Sequence, residues 1–244
     1  MNKFIFDVDG TLTPSRGRID PNFEKWFIDF CNKKDVYLAT GSDYNKTLEQ
    51  LGEDVMMAVA RSYNCSGNSV WEKGVEVYKS NWRLDENCEF WLQAVLEQSK
   101  FPLRTGIHIE HRTGQCNFSI PGRGGLTLGE RQMYVEWDND TDEREKIAQM
   151  FNDLFQEKYN CVALVAGETG LDIIQVGCDK SQIAKDFPNG DVMFFGDMME
   201  PGGNDYPLKM ALANKNNYCQ QITKGFNEVK YWLSEFIPGE GTMS

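Results

Sequence analysis

The sequence has few of the residues on which several classes of protein depend. It contains only two histidines, and its seven cysteines include no Cys-x-x-Cys pair, which argues against a zinc site and a disulfide framework. Its 25 basic residues are outnumbered by 37 acidic ones, so the net charge is −12. Binding to nucleic acids or to anionic membrane surfaces needs clustered Lys and Arg, and we therefore expect neither.

Long apolar runs are also missing, since none approaches the ~18 residues of a membrane-spanning helix. The first predicted strand begins almost at the start of the chain, which leaves no space for a signal peptide. We therefore expect a cytoplasmic protein with reduced cysteines. The 244 residues, 41% hydrophobic and 25% charged, are ordinary for a soluble globular protein of one large domain or two small ones.

The first candidate site is the stretch at residues 4–11, FIFDVDGT, where two carboxylates stand at the end of a buried strand. Charge in such a place needs a neighbouring cation or a shared proton. Asp7 is suited to metal binding and nucleophilic attack, and Asp9 to acid and base chemistry. Gly10 and Thr11 offer N–H groups and a hydroxyl to an anion. The alternative, a plain Asx-rich turn, explains Asp9 but not Asp7.

Two further predicted strands end in polar side chains. Residues 36–40 form an apolar run followed by Ser42, and residues 191–197 end in Asp197. The carboxyl ends of parallel strands meet at one edge of a sheet, so we expect both side chains near the first two carboxylates. A hydroxyl ahead of a helix start is a favourable phosphate contact. Taken alone, however, the Gly-Ser-Asp sequence around Ser42 is better explained as a helix N-cap.

The same strand ends predict a metal site made of oxygen ligands. The candidate ligands are Asp7, Asp9, Asp197 and Asp205. Carboxylates of this kind suit Mg²⁺ and not a soft metal. Asp197 is the better candidate for a direct ligand and Asp205 for an outer position, with a plain polar turn as the alternative for the latter. Lys180 adds positive charge for phosphate oxygens.

The middle of the chain is predicted to form an inserted domain. It contains, in order, a helix, a hairpin, a second helix and a second strand pair, predicted within residues 82–98, 106–120, 142–159 and 161–176. This order between two parallel-sheet segments indicates an α+β cap at residues 81–177. The core domain would then comprise residues 1–80 and 178–244.

Basic residues are concentrated in this predicted cap, against an otherwise acidic chain. They are Arg104, Arg112, Arg123 and Arg131. Arginine is suited to bidentate binding of phosphate, and several arginines in a cap would hold the far end of a phosphorylated sugar. Ordinary surface charge is the alternative for any one of them. In the core, Arg16 stands in the turn after the first carboxylates and is either a solvated loop residue or another phosphate contact.

Residues 7–13, DVDGTLT, resemble the first motif of the haloacid dehalogenase superfamily, whose members form an aspartyl-phosphate on the first Asp. The resemblance implies that Asp7 is the nucleophile and that Asp9 protonates the leaving group and later deprotonates the acceptor. It assigns Ser42 to the transferring phosphoryl group, as the second motif. The fold it implies is α/β, a Rossmann-like parallel-sheet core with an inserted α+β cap of type IIB.

Longer stretches resemble the eukaryotic-type phosphomannomutase family. They are IEHRTG at residues 109–114, SIPGR at 119–123, GER at 129–131 and FFGDMMEPGGND at 194–205. The resemblance implies reversible conversion of mannose 6-phosphate to mannose 1-phosphate with Mg²⁺, as in GDP-mannose biosynthesis. It also implies a sugar bisphosphate intermediate and activator, and a homodimer formed through the cap.

Matched positions in this family imply the substrate contacts. They are Arg16, Arg112, Arg123, Arg131, the position of Gly170, and Asp172, which would bind sugar hydroxyls. The chain departs from the family at three places. Gly170 replaces a substrate-binding Ser, one extra residue lies between Arg123 and Arg131, and residues 207–213 lack the Asp of a second ion loop. We therefore expect no second cation site there.

Two other functions compete with the mutase. A Mg-dependent sugar-phosphate phosphatase would use the same Asp7 and Asp9 but admit water to the aspartyl-phosphate. The mutase is favoured because a phosphatase has less need of arginines at the far end of its substrate. A non-catalytic sugar-phosphate binder would be expected to have lost Asp7 or Asp9, and the sequence retains both.

Overall fold

The computed structural model describes residues 3–213 and 217–236. Met1 and Asn2, part of the argument against a signal peptide, lie outside this range. The chain divides into two compact units, one formed by Met1–Ser80 with Gly177–Ser244 and the other by Asn81–Val176. We call them the core unit and the cap unit. No helix among the described residues has both the length and the apolar character needed to cross a membrane.

The core unit is built on a seven-stranded sheet in the order β11-β10-β1-β2-β3-β4-β5. Its strands are β1 Lys3–Phe6, β2 Asp35–Ala39, β3 Arg61–Asn64, β4 Ser69–Glu72, β5 Val75–Lys79, β10 Val192–Gly196 and β11 Tyr218–Gln221. Pairing is parallel from β11 to β3 and antiparallel from β3 to β5. The mostly parallel sheet confirms the predicted α/β class.

The core helices are α1 Pro21–Cys31, α2 Tyr44–Ala58, α6 Tyr206–Ala213 and α7 Phe226–Phe236. Helix α1 begins at Pro21 because Asp20 caps it and proline needs no N–H at the first position. Its aromatic stripe is buried, and Phe27 and Phe30 contact rings of β1 edge to face. Helix α2 continues to Ala58 across a break at Gly52, whose φ is 81°.

The cap unit carries a four-stranded antiparallel sheet in the order β6-β7-β9-β8. Its elements are α3 Glu86–Gln98, β6 Ile107–Arg112, β7 Gln115–Arg123, α4 Leu128–Thr141, α5 Glu143–Tyr159, β8 Cys161–Ala166 and β9 Gly170–Gln175. The two predicted strand pairs are therefore joined in one sheet through β7 and β9. Along β7, Cys116, Phe118 and Ile120 enter the cap core. Asn117 and Ser119 alternate with them, on the other face.

Helix α4 was missed in the predicted order of the cap. Its apolar stripe is weak, since Tyr134 and Asp138 are its buried residues. Its start nevertheless carries a capping box, in which Thr127 and Glu130 bind each other's backbone N–H groups. That pattern, and not hydrophobic periodicity, was the available signal.

A half-exposed ion-pair cluster ties the segment that returns from the cap to the core sheet. Arg61 on β3 donates from Nε to Glu72 on β4 at 2.7 Å and from Nη1 to Asp186 at 2.6 Å. Tyr63 also donates to Asp186, at 2.7 Å. Asp186 ends a 3-10 segment, Lys180–Asp186.

We predict that Arg61→Met lowers the free energy of unfolding by about 1 kcal/mol, because half-exposed pairs are weak singly but this guanidinium serves two carboxylates. Urea denaturation measures the change. Lys79→Met is the matched control, since it removes one exposed pair with Glu76 at 3.8 Å. Equal effects of the two substitutions would show that the cluster adds nothing beyond a surface pair.

Candidate active site

Three neighbouring strands of the core sheet end at one cleft. Strands β10, β1 and β2 are consecutive, and each is followed by polar side chains at its carboxyl end. The cleft has a volume of about 400 Å³, and its lining includes Asp7, Asp9, Ser42, Asp197 and Asn204. Four residues selected from the sequence as site candidates therefore share one cavity.

The turn after β1 brings its backbone against the end of β10. Gly10 has a φ of 78°, and the Val8 carbonyl accepts hydrogen bonds from the N–H groups of the following turn. A Cβ built on Gly10 would lie 2.3 Å from Oδ2 of Asp197. Both the left-handed backbone and this close approach require glycine, and together they fix the turn that carries Asp9.

A buried lysine joins two carboxylates that are far apart in sequence. Nζ of Lys180 donates to Oδ1 of Asp7 and to Oδ1 of Asp205, at 2.7 Å each. All three side chains are almost completely buried. The second oxygen of Asp205 accepts from the backbone N–H of Met198 at 3.1 Å. Lys180 thus links the end of β1 to the residue before α6.

This cluster carries more negative than positive charge. Burial raises the pKa of the Asp7 carboxyl well above its ordinary value, and the opposing effect of the Lys180 ammonium is smaller. Burial and the Asp205 carboxylate raise the pKa of Asp197 to about 6. Burial alone would lower the pKa of Lys180, but the two carboxylates raise it, so the ammonium stays charged. An additional cation would relieve the remaining repulsion.

The donor set fits a divalent metal ion. Asp7, Asp197 and Asp205 each offer a carboxylate oxygen, and these oxygens lie within 4.8 Å of one another. Hard oxygen donors with excess negative charge are what such ions bind. Asp9, the fourth predicted ligand, is not part of this group.

The carboxylate of Asp9 is held by three hydrogen bonds instead. Its Oδ1 accepts from the backbone N–H of Arg16 at 2.6 Å and from Nε2 of Gln50 at 2.9 Å. Its Oδ2 accepts from the hydroxyl of Ser42 at 3.4 Å. The helix N-cap at α2 is Asp43, which accepts from the N–H of Lys46. The capping explanation of Gly-Ser-Asp therefore applies to Asp43.

Gln50 was missed in the sequence analysis. It lies on α2 with 2% of its surface exposed, and Nε2 also approaches the carbonyl of Gly17 at 3.2 Å. A glutamine on the buried face of an amphipathic helix was the signal, because such a side chain needs a polar partner inside. Arg16, in contrast, was predicted, but it contacts Asp9 through its backbone while its side chain is exposed.

In the cap unit, one polar face of the sheet carries three of the predicted substrate residues, Arg112, Arg123 and Asp172. On this face Glu110, Asn117 and Asp172 lie side by side on β6, β7 and β9. Arg112 donates from Nε to Oε2 of Glu110 at 2.9 Å, and Nε of Arg123 lies 3.4 Å from the same oxygen. Asn117 accepts from Nη1 of Arg123 at 3.2 Å and donates to Oδ1 of Asp172 at 2.7 Å. One network thus contains Arg112, Arg123 and Asp172.

The other two arginines of the predicted group have different surroundings. Arg131, on α4, pairs with Glu168 at 3.3 Å. The guanidinium of Arg104 donates to four backbone carbonyls around the end of α3, those of Leu96, Ser99, Phe101 and Leu103. Arg104 is therefore used within the cap fold, contrary to its expected place among the phosphate-binding arginines.

The absence of a side chain at Gly170 leaves space for the amide of Asn117. A Cβ at this position would lie 3.0 Å from Nδ2 and 3.3 Å from Oδ1 of Asn117. A larger residue would therefore press on the amide that joins Arg123 to Asp172.

Comparison with known proteins gives the family. The family profile described as eukaryotic phosphomannomutase matches residues 23–223, a range that begins after Asp7 and Asp9. A phosphomannomutase of Drosophila melanogaster is 33% identical over 218 residues, covering 84% of each chain. A probable phosphomannomutase of Caenorhabditis elegans is 30% identical over 220 residues, again covering 84% of each.

This chain belongs to the eukaryotic phosphomannomutase family. The resemblance drawn from sequence motifs and the predicted enzyme class are both confirmed. Among solved structures, a sugar phosphatase of haloacid dehalogenase subclass IIB superposes with a TM-score of 0.57 at 14% identity, covering 97% of this chain and 99% of that one. At that identity the likeness concerns the fold alone, and it confirms the predicted α/β core with an inserted α+β cap of type IIB.

For this member of the phosphomannomutase family, we predict that Gln50→Leu lowers kcat by about tenfold to a hundredfold, because Asp9 is expected to act as acid and base and would lose much of its catalytic effect when misplaced. Steady-state turnover of mannose 1-phosphate measures the loss. Gln182→Leu is the matched control, a half-buried glutamine that donates to the carbonyls of Ser66 and Cys178. A folded Gln50→Leu protein with wild-type kcat would exclude a role in positioning Asp9.

Proposed function

We propose that this protein interconverts mannose 6-phosphate and mannose 1-phosphate through an aspartyl-phosphate and a sugar bisphosphate. The observation that carries the proposal is the arrangement at the core strand ends. There Asp7 is bound to Lys180 beside two further carboxylates, and Asp9 is held separately by Gln50 and Ser42. This arrangement supports nucleophilic attack by one carboxylate and proton transfer by the other, in a chain of the phosphomannomutase family.

Asp7 is the proposed nucleophile. Lys180 binds Oδ1 of Asp7 and orients the carboxylate, and we assign the attack to Oδ2. In the first half of the cycle, the phosphoryl group moves from Asp7 to a free hydroxyl of the sugar monophosphate, and Asp9 removes the proton of that hydroxyl. In the second half, the other phosphoryl group of the resulting bisphosphate moves to Asp7, and Asp9 returns the proton to the leaving oxygen. The second half therefore restores the phosphoenzyme.

Mg²⁺ is the proposed metal, held by Asp7, Asp197 and Asp205. When bound, it supplies positive charge that offsets repulsion between these carboxylates and the transferring phosphoryl group. Ser42 is assigned to the oxygens of that group, in addition to its hydrogen bond with Asp9. Lys180 contributes a second, permanent positive charge in the same cluster.

The cap residues are proposed to bind the part of the substrate that does not react. Arg112 and Arg123 share one carboxylate and present two guanidinium groups on one face of the cap sheet. We assign them, together with Arg131, to the second phosphate of the substrate, and Asp172 to sugar hydroxyls. Arg16 is assigned to a further contact with the substrate. Because Gly170 has no hydroxyl, the phosphate end of this site would lack one hydrogen-bonding group.

We also propose a sugar bisphosphate as activator, a homodimer formed through the cap unit, a cytoplasmic location and supply of mannose 1-phosphate for GDP-mannose synthesis. The cap exposes large apolar side chains that a dimer would cover, among them Phe90 and Leu128, which are 75% and 86% exposed.

Phosphorus NMR of the protein with Mg²⁺, mannose 1-phosphate and a trace of glucose 1,6-bisphosphate tests the proposal. We expect the signal of mannose 6-phosphate to grow without inorganic phosphate, and excess chelator to stop the reaction. Omission of the bisphosphate is the control, and it should leave a long lag. Release of inorganic phosphate as the main product would identify a phosphatase and contradict the mutase.

A further inference from the structure

The two cap arginines that share a network are already bound to a carboxylate of the chain itself. Glu110 stands two residues before Arg112 on β6, so both side chains point to the same face of the sheet. Its Oε2 accepts from both Nε and Nη2 of Arg112 and lies 3.4 Å from Nε of Arg123. A single carboxylate oxygen therefore serves two guanidinium groups.

Glu110 uses the edge of Arg112 that a phosphate would use. Bidentate recognition of an oxyanion employs two parallel N–H donors of the guanidinium, and Nε with Nη2 is one such pair. The pair is accessible to solvent, because the side chains of Glu110 and Arg112 are each 33% exposed and that of Arg123 is 42% exposed. A phosphate approaching this face must therefore share these donors with Glu110 or displace it.

The carboxylates of the network also oppose the binding of a phosphate. Arg112 and Arg123 bring two positive charges, and Glu110 and Asp172 bring two negative ones within the connected set. An incoming phosphate dianion thus meets a site that is already neutralised. A site built for the tightest possible phosphate binding would leave out one of these carboxylates.

We propose that Glu110 is a built-in competitor for Arg112 and Arg123 that weakens their binding of the substrate phosphate. This inference rests on the proposed function. A mutase bisphosphate must present each of its two phosphates in turn to the nucleophile, so the residues that hold the other phosphate have to release it in every cycle. Glu110 supplies a replacement ligand for the arginines during that exchange and makes release rapid. It acts through the arginines and is a positioning residue.

Glu110→Gln tests the proposal, because it keeps the shape and one hydrogen-bond acceptor but removes the negative charge. We expect the variant to bind mannose 6-phosphate about threefold to thirtyfold more tightly in calorimetric titration, the range for one charge a few ångströms away in a largely aqueous dielectric. We expect KM and kcat to fall together, since tighter binding slows the exchange. Glu136→Gln is the control, an exposed glutamate on α4 with the same charge change, and it should alter neither constant.

A purely structural role for Glu110 predicts the opposite sign. Weaker or unchanged binding of mannose 6-phosphate by Glu110→Gln, with KM raised or unaltered, would overturn the inference while leaving the mutase intact. Glu110→Ser gives the same test if the glutamine side chain prevents folding, because it also removes the charge. Arg123→Gln tests the assigned phosphate site itself. If this variant binds mannose 6-phosphate as tightly as the wild-type protein does, both the assigned phosphate site and the inference fail.

Discussion

The contact between Lys180 and two buried carboxylates is the interaction on which the rest of the site depends. Three charged groups stand in the interior, and none of them would be stable there alone. Because Nζ of Lys180 binds Asp7 and Asp205 at equal distances, it fixes the end of β1 relative to the start of α6. The negative charge left over, with Asp197 added, makes the cluster suited to a cation.

The fold supplies the two features that this cluster requires. Parallel order in the sheet brings the carboxyl ends of β10, β1 and β2 to one edge. Glycines at two close approaches, Gly10 and Gly196, let the carboxylates of Asp197 and Asp205 come within 2.3 and 2.4 Å of where a Cβ would lie. In the cap unit, too, the strands bring charged side chains together, because they place a carboxylate next to two arginines on a partly exposed polar face.

Much of this arrangement was visible in the sequence, but only where it is encoded locally. A run of apolar residues that ends in Asp7 and Asp9 indicates both a buried strand and carboxylates at its end. The apolar run before Asp197 shows the same pattern. Gln50 and Glu110 do not stand at the end of an apolar run, and their partners Asp9 and Arg123 lie on other elements, so only the buried helix face of Gln50 gave a signal. Helix α4 was missed because its buried stripe is thin. The phosphate role assigned to Arg104 could not be separated from its binding of α3 carbonyls without coordinates.

Acid-quench labelling shows whether the phosphoryl group is carried on Asp7. The protein is mixed with Mg²⁺ and radiolabelled glucose 1,6-bisphosphate, quenched in acid, and digested for peptide mapping. We expect label on the peptide that contains Asp7, and none in a folded Asp7→Asn protein. Label that persists in Asp7→Asn, or that maps to another peptide, would exclude Asp7 as the nucleophile.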